Sequence, residues 1–535
     1  MRSDQPVFTA VDRGTASVAV SLVGRVDDRW RLLGRTAAPA GVPDDALVER
    51  LRRRLAAADP GIAGALALAD PGSAADAERL VCVTGAAPEI AVVAATDRVV
   101  GPLVAAARAA GWHVWPLVLD GAEILAVAST LADPRISAVL AGASDPPGAD
   151  ERPLVGDLGL LVAAATERRP DLVAVLAGGL AEPGGRTEAL FRPDRPGPTV
   201  LAPSPAVGGG EPLRALLDGL RGGEHDGRRA LAAATGTLAD VLHRTVEVVE
   251  IGQAGATRAV AAWTPGEAAV SRVAIVPDAA LLPRSFSDAH LDAVMGWLTV
   301  PLDRLRVRDR LRELALAPWG DAAGTGALLR LAAARAALAR LVAATPSFDH
   351  RPPPDLVVAS GGAWAVTPGP AVALALADVM RRAGVRGLAV DHARLLAPLG
   401  TIEDAAERTA HMADLRDDLL VPLGSVIMPS GLRAGRSAGR MVIHAEGGSA
   451  ELELVPGGLE LVDLPPGERA VVELVLRDAV RLGLRTRHVA MEVAGGLGGL
   501  LVDLRDVPLA LPPRLERRRE LLASWQAALW PEVEA

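Results

Sequence analysis

Asp355-Leu356-Val357-Val358-Ala359-Ser360-Gly361-Gly362 is the stretch whose reading decides the fold. Asp355 to Ala359 reads as a short buried strand, and it runs into a Gly-Gly turn with no side chain to obstruct a ligand. After Pro368-Gly369-Pro370 the apolar run Ala371 to Met380 predicts a helix, with Arg381 and Arg382 in its last turn and Gly384 as its stop. Val385 to Val390 predicts a second strand ending at Asp391. Strand, glycine turn, helix and strand in that order make a parallel α/β unit. The carboxyl end of a buried strand in such a sheet is a natural place for a flat ligand.

Composition bounds what surrounds this unit. At 535 residues the chain exceeds a single core and predicts about three domains. A net charge of -9 gives no overall attraction to nucleic acid or anionic lipid, so neither is expected as a partner. Lys, Asn and Tyr are absent while Ala, Gly, Arg, Pro and Val abound, which reads as the coding bias of a high-GC bacterium. Cys82 is the only cysteine and, between Val81 and Val83, is expected as a small core residue; no disulfide or cysteine-built metal cluster can form. Arg2 to Gln5 is polar and lacks the apolar core of a signal peptide. The charge-free run Leu356 to Ala377 is broken by glycines and prolines, so no membrane helix is expected and the compartment reads as cytoplasmic.

Taken in order, Val7 to Val11, Val18 to Val23 and Arg29 to Arg35 predict a hairpin sheet with a polar first turn, Asp12-Arg13-Gly14-Thr15-Ala16-Ser17. An acidic residue, a glycine and a hydroxyl in one turn can hold a hydrated Mg²⁺ and offer N–H groups to phosphate; the same residues also make an ordinary Asp-x-Gly turn. A helix with Leu47, Leu51 and Leu55 on one face follows, closed by Pro60. Arg79 to Thr84, Val114 to Leu119, Ile136 to Ala143 and Leu172 to Gly179 read as strands of α/β units, the last two as parallel neighbours. Pro183 to Pro212 reads as an irregular connection holding one short strand, Thr199 to Ala202.

From Thr245 the opening pattern returns. Val246 to Ile251 is a strand, Gly252 to Thr257 a small-residue turn and Ala259 to Trp263 the next strand, with Glu250 where Asp12 stood. Two such hairpins suggest two related halves. The helical stretch Ala327 to Ala344 is expected to put its arginines in solvent. Beyond Met441 the texture is short β runs, ending in a helix from Leu515 to Leu529 that carries Arg517, Arg518 and Arg519 on a wet surface.

Three segments together resemble the glutamate mutase accessory protein L (MutL) family. They are Asp12-Arg13-Gly14-Thr15; Val357 to Gly362 continuing to Leu388-Ala389-Val390-Asp391 and Leu399-Gly400; and Gly495-Gly496-Leu497-Gly498-Gly499-Leu500 with Asp503, Arg505 and Pro508-Leu509. That family belongs to the actin-like ATPases, the superfamily of sugar kinases, heat-shock chaperones and actin. The resemblance implies two actin-like, ribonuclease H-like α/β lobes with a nucleotide cleft between them, residues 1–244 and 245–440, followed by a β-rich region over 441–535. It implies Asp12, Gly14 and Thr15 at the phosphates, Glu250, Gly252 and Thr257 opposite them, and Ser360, Gly361 and Gly362 at the adenosine. Asp12 and Glu250 would be the catalytic and metal-holding pair. ATP and Mg²⁺ are the implied cofactors, and the implied partner is an adenosylcobalamin-dependent mutase that the protein reactivates or assembles.

The sequence also departs from that pattern. Ala19 stands where relatives carry Lys, Arg13 where they carry an apolar residue, and Glu250 where they carry Asp, with no acid near Thr257-Arg258. A side chain one methylene longer displaces a metal or water by roughly 1 Å, enough for about 100-fold in rate. Arg13 either serves the phosphates or pairs with an acid. Three functions are therefore weighed: an ATP-dependent mutase factor with weak ATPase activity, a degenerate scaffold that binds a partner without hydrolysis, and a small-molecule kinase with Asp391 as base. Walker, zinc-protease, nucleophile-elbow and cobalamin-binding motifs are absent from the sequence.

Overall fold

The computed structural model describes residues 7–58, 79–119, 124–181, 198–221, 226–283, 285–318, 324–349, 353–433 and 435–529. The chain forms two compact units. One comprises residues 1–85, 225–273 and 279–535, the other residues 86–224 and 274–278. These units are drawn differently from the division at 244 and 440 expected from the sequence, because residues 86–224 close a core of their own.

The larger unit opens with a sheet of order β3-β2-β1-β4, formed by β1 (Val7–Gly14), β2 (Ser17–Val26), β3 (Arg29–Pro39) and β4 (Arg79–Thr84). β1 runs antiparallel to β2 and parallel to β4. Nearly every position of β1 and β2 is buried, which explains their unbroken apolar texture. Asp12 lies inside β1, opposite Ala19 on β2 and Cys82 on β4, and not in a turn as expected; the turn is only Thr15-Ala16. The helix Asp44–Ala58 buries Leu47 and Leu51 under this sheet; its expected stop at Pro60 lies outside the described residues.

The smaller unit is a parallel sheet of β5 (Glu89–Ala94), β6 (His113–Val118), β7 (Ile136–Ala143), β8 (Val173–Gly178) and β9 (Thr199–Ala202) in the order β6-β5-β7-β8-β9. β7 and β8 are parallel neighbours as the sequence suggested. Helices Asp97–Ala109 and Glu211–Arg221 cover one face through Leu103, Ala107, Leu213 and Leu217. Helices Ile124–Ala132 and Arg152–Arg168 cover the other through Leu131, Leu158 and Val162. The part of the irregular connection over 183–197 lies outside the described residues, whereas β9 is the short strand expected there.

In the larger unit, helix Gly227–Leu242 starts on Asp226, whose carboxylate accepts from the Arg228 N–H as an N-cap. A second sheet follows, built on β10 (Val246–Gly252), β11 (Gly255–Ala261), β12 (Ser271–Val276, of which only 271–273 count with this unit), β13 (Leu356–Ser360), β14 (Gly384–Val390) and β15 (Val421–Met428). β10, β13 and β14 are parallel, with the helix Gly369–Val379 crossing between β13 and β14, so the strand–turn–helix–strand reading holds. Gly384 begins β14 instead of merely stopping the helix, which is already capped at Met380.

The region after residue 440 contributes β16 (Gly439–Ala445), β17 (Gly448–Leu454), β18 (Leu459–Val462), β19 (Arg469–Leu482), β20 (Leu484–Ala494) and β21 (Leu500–Asp503). Four of these make their own antiparallel sheet, β17-β16-β19-β20. β18 and β21 instead complete the second sheet, whose full order is β12-β11-β10-β13-β14-β15-β21-β18. The β-rich region is therefore not a separate body.

Several arginines expected in solvent are buried. In the helix Gly324–Ala344, Arg330 and Arg335 are buried, and Arg335 pairs with Asp378 at 2.8 Å. Asp378 also receives Arg505, which pairs with Asp503, which in turn receives Arg381. The closing helix Leu515–Leu529 buries Leu522 and Trp525, and Arg505 stacks on Trp525 at 4.4 Å. Arg518 and Arg519 are turned to the carbonyls of Pro512 and Leu302. None of the described helices is long and apolar enough to cross a membrane.

Candidate functional site

The carboxyl ends of β1, β10, β13 and β14 meet within the larger unit around one small cavity. Parallel registration sets Glu250 on β10 beside Ser360 on β13, and Ala359 beside Val390, so Asp391 follows one step beyond. The cavity, of about 40 Å³, is lined by Asp12, Gly14, Thr15, Glu250, Gly252, Ser360, Gly361 and Gly362, together with Ser17, Arg228, Asp391 and Arg394. Residues hundreds of positions apart thus converge as the sequence suggested. Thr257 does not reach the cavity: it lies in β11 opposite Glu250 and stands behind that carboxylate.

Gly361 has φ +97°, and a Cβ there would sit 2.5 Å from the Ile251 carbonyl oxygen. Only glycine tolerates both the dihedral and this approach of β13 to β10. Gly362 differs. The nearest atom to a Cβ there is Ser17 Oγ at 3.8 Å, so its missing side chain opens space into the cavity.

Each acidic group already has partners. Arg394 Nε donates to Asp12 Oδ2 at 2.5 Å, and Cys82 Sγ lies 3.5 Å from Asp12 Oδ1. Cys82 is fully buried, and burial with the neighbouring Asp12 charge pushes its thiol well up, so it acts as the small core residue expected. Arg394 Nη1 donates to Ser17 Oγ at 2.8 Å. Burial opposes the Arg394 charge most strongly, but Asp12 together with Cys82 and Asp391 raises its pKa on balance. Glu250 Oε2 accepts from Thr257 Oγ1 at 3.0 Å; burial raises its pKa, favouring the protonated form, and Arg228 opposes that shift. Asp391 accepts from Ser360 Oγ and from the Leu395 N–H, both at 3.0 Å, while burial pushes its pKa up to about 6.

Arg13 points elsewhere, with its Nε donating to Asp44 at 2.9 Å. Of the two roles open to it, pairing with an acid is the one the fold adopts. The cation paired with Asp12 comes instead from Arg394, 382 positions along the chain. Arg394 has φ 55°, a left-handed backbone that costs a non-glycine residue about 1 kcal/mol. A Cβ on Gly14 would lie only 3.1 Å from Arg394 Nη2, so the missing side chain of Gly14 makes room for the guanidinium.

This arrangement does not fit the Mg²⁺ that the sequence implied. Arg394 already takes one oxygen of Asp12, and burial raises the pKa of Glu250. Among the described residues no group of three or more His, Cys, Asp or Glu side chains is placed to hold a metal ion. The volume is also well below the roughly 300 Å³ and upward typical of sites for a whole cofactor. A larger groove of about 620 Å³ lies elsewhere, bordered by Arg244, Arg416, Arg469 and Glu492, and includes none of these residues.

Arg394 escaped the sequence reading, and a signal for it was present. It stands alone in the apolar run from Leu388 to Leu399, broken otherwise only by Asp391 and His392. A cation inside such a run must find a buried anion.

No protein-family model matches the chain, and no curated protein matches it. Among solved structures, the chain is similar to a nucleotide-free acetone carboxylase described for ATP-dependent acetone carboxylation, with 13% identity, 84% of this chain and 81% of that one covered, and a TM-score of 0.34. It is similar to (R)-2-hydroxyglutaryl-CoA dehydratase component A of Acidaminococcus fermentans, with 8% identity, coverage of 75% and 98%, and a TM-score of 0.26. It is also similar to the ethanolamine utilization protein EutJ of Carboxydothermus hydrogenoformans, with 12% identity, coverage of 74% and 89%, and a TM-score of 0.21.

Proposed function

We propose that this protein is an actin-like accessory scaffold whose nucleotide site no longer turns over ATP and which acts by holding a protein partner. The observation that carries this reading is the ion pair of Arg394 with Asp12. In a metal-dependent phosphoryl-transfer site the corresponding carboxylate must be free to orient a hydrated cation. Here a buried guanidinium takes that place, and Glu250, the second implied acid, is held by Thr257. β1–β4 and the β10–β15 sheet would be the cores of the two lobes. The motif resemblance makes an adenosylcobalamin-dependent mutase the partner, with the cytoplasm as the shared compartment.

A second reading, the ATP- and Mg²⁺-dependent mutase factor with Asp12 and Glu250 as its catalytic pair, draws support from the gathering of Asp12, Gly14, Gly252, Gly361 and Gly362 around one cavity. The kinase reading draws only on Asp391, which Ser360 and Leu395 already occupy. One experiment separates the three. Mg-ATP is added to the purified protein alone, with a purified adenosylcobalamin-dependent mutase, and with a panel of small hydroxyl acceptors, while phosphate release, ATP consumption and complex formation are followed. The scaffold reading expects a complex with the mutase and no phosphate release above buffer. Phosphate release that disappears in Asp12→Ala would overturn it in favour of the ATPase, and ATP loss only with an acceptor would do so in favour of the kinase.

A further inference from the structure

We propose that the groove beside β20 docks an extended, acidic segment of a protein partner, which adds to the open edge of that strand. The inference deepens the scaffold reading, on which it rests for taking the occupant to be a protein, and it concerns a surface away from the nucleotide cavity. β20 is the outermost strand of the sheet β17-β16-β19-β20. One of its edges pairs with β19, and no strand covers the other among the described residues. The last residue of the strand fixes what that edge presents. Ala494 N–H donates to Ser425 Oγ at 3.1 Å and its carbonyl accepts from the same hydroxyl at 2.8 Å, so Ala494 is turned away from β19. An antiparallel ladder alternates, and Glu492, Ala490 and His488 therefore turn the same way. The Thr486 hydroxyl already donates to the His488 carbonyl at 2.7 Å, which leaves the N–H and carbonyl groups of Glu492 and Ala490 for an incoming strand.

The groove of about 620 Å³ is lined by Ser425, Glu492 and Ala494, so the free backbone groups of Glu492 stand at its wall. The half-buried Leu242, Val385 and Leu420 line it too, and alternate apolar side chains of an added strand can sit against them. Charge selects an acidic segment. Three carboxylates line the groove, and each is engaged: Asp355 accepts from the Thr245 N–H at 2.9 Å, Asp417 lies 3.9 Å from Arg31, and Glu492 takes Arg469 at 2.7 Å. The exposed Arg244 and Arg416 have no carboxylate partner among the described residues. Arg485 and Arg487 continue the uncommitted positive charge along β20. A chain of net charge -9 thus keeps a local surplus of cations along this track, which steers a carboxylate-bearing segment towards it and turns a basic one away.

Fluorescence anisotropy of labelled peptides tests this on the full chain, with neither mutase nor nucleotide present. The probe is a peptide of about eight residues that alternates Val and Glu; its counterpart alternates Val and Lys, and an oligothymidylate of similar length stands for other polyanions. The acidic peptide should bind at least about tenfold more tightly than either of the others. Arg244→Glu/Arg416→Glu changes two exposed side chains and should weaken the acidic peptide at least about tenfold. Ala490→Pro removes an N–H that faces away from β19, so the ladder can persist, and binding should again fall at least about tenfold. Thermal unfolding is recorded for each variant; should the proline unfold β20, the double charge reversal decides alone. Absence of binding by the acidic peptide, equal binding of the basic peptide or the oligothymidylate, or full binding by either folded variant overturns the inference. Self-association of the chain that Ala490→Pro abolishes also overturns it, because the edge then belongs to a second copy. Complex formation with the mutase is scored separately. Its absence sinks the scaffold reading while peptide binding stands, and a complex that survives both variants sinks the inference while the scaffold reading stands.

Discussion

Removing both partners of the Asp12–Arg394 pair should cost far less than the two single removals added together. The pair is buried on both sides, 10% and 7% exposed, and joined at 2.5 Å, with Ser17 fixing the guanidinium from a second direction at 2.8 Å. A solvent-exposed ion pair contributes only about 0.2–1 kcal/mol, but stranding one buried charge costs about 3–5 kcal/mol because its desolvation goes uncompensated. Arg394→Met should therefore destabilise the larger unit by about 3 kcal/mol or more. Asp12→Asn retains an acceptor for Nε and should cost about 1–3 kcal/mol. Combined, Asp12→Asn/Arg394→Met strands no charge and also replaces an arginine in left-handed backbone, so it should lie within about 1 kcal/mol of the milder single variant. The assay is urea unfolding of all four proteins, with coupling taken from the double-mutant cycle. A coupling below about 1 kcal/mol, or a double variant as unstable as the sum of the singles, would refute the view that the two charges need each other.

Three further outcomes follow from the same geometry. Asp391, with its pKa raised to about 6 from 3.8, binds its proton more tightly folded than unfolded; its contribution is therefore fully present below about pH 4, is lost as pH rises towards about 6, and levels off above, a change of about 3 kcal/mol at most that should be missing from denaturation curves of Asp391→Asn. Glu250→Gln should change unfolding free energy by less than about 1 kcal/mol, because burial disfavours the charge at this position and Gln still accepts from Thr257; a loss above about 2 kcal/mol would mean that the carboxylate must be ionised. Gly361→Ala should cost about 3 kcal/mol or more through its positive φ and the approach to Ile251, whereas Gly362→Ala should be nearly neutral in thermal unfolding; equal losses would contradict the assigned backbone geometry.

How much of this was legible in the sequence depends on the range over which each feature is encoded. The unit from Leu356 to Val390 could be read because its strands, helix and glycine turn are specified by neighbours within a few residues. The gathering of Asp12 with Gly361 and Gly362 was legible through the order of motifs. The placement of Asp12 inside β1 was not, since the extra residues of that strand are held between Ala19 and Val18 of β2 and Cys82 and Val83 of β4, the latter some seventy positions away in sequence. Arg330 and Arg335 look like a solvated helix face until Asp378 is known to lie opposite Arg335. Thr257 was read as a turn residue because Gly255 looks like turn punctuation, yet that glycine is the first residue of β11. The sheet order of residues 86–224 rests wholly on long-range pairing, which local periodicity does not encode.

The seating of β21 beside β15 also dictates a timetable for synthesis. On the ribosome β15 emerges long before the strand that covers its open edge, and Asp378 waits equally long for Arg505. Until the last few dozen residues are made, the nascent chain carries an unpaired strand edge and a half-built cluster of buried charges, the condition in which proteins aggregate or recruit folding helpers. Residues 86–224, nearly contiguous and finished early, escape that delay. A nonsense codon even close to the end should therefore remove the whole larger unit from the cell rather than trim it.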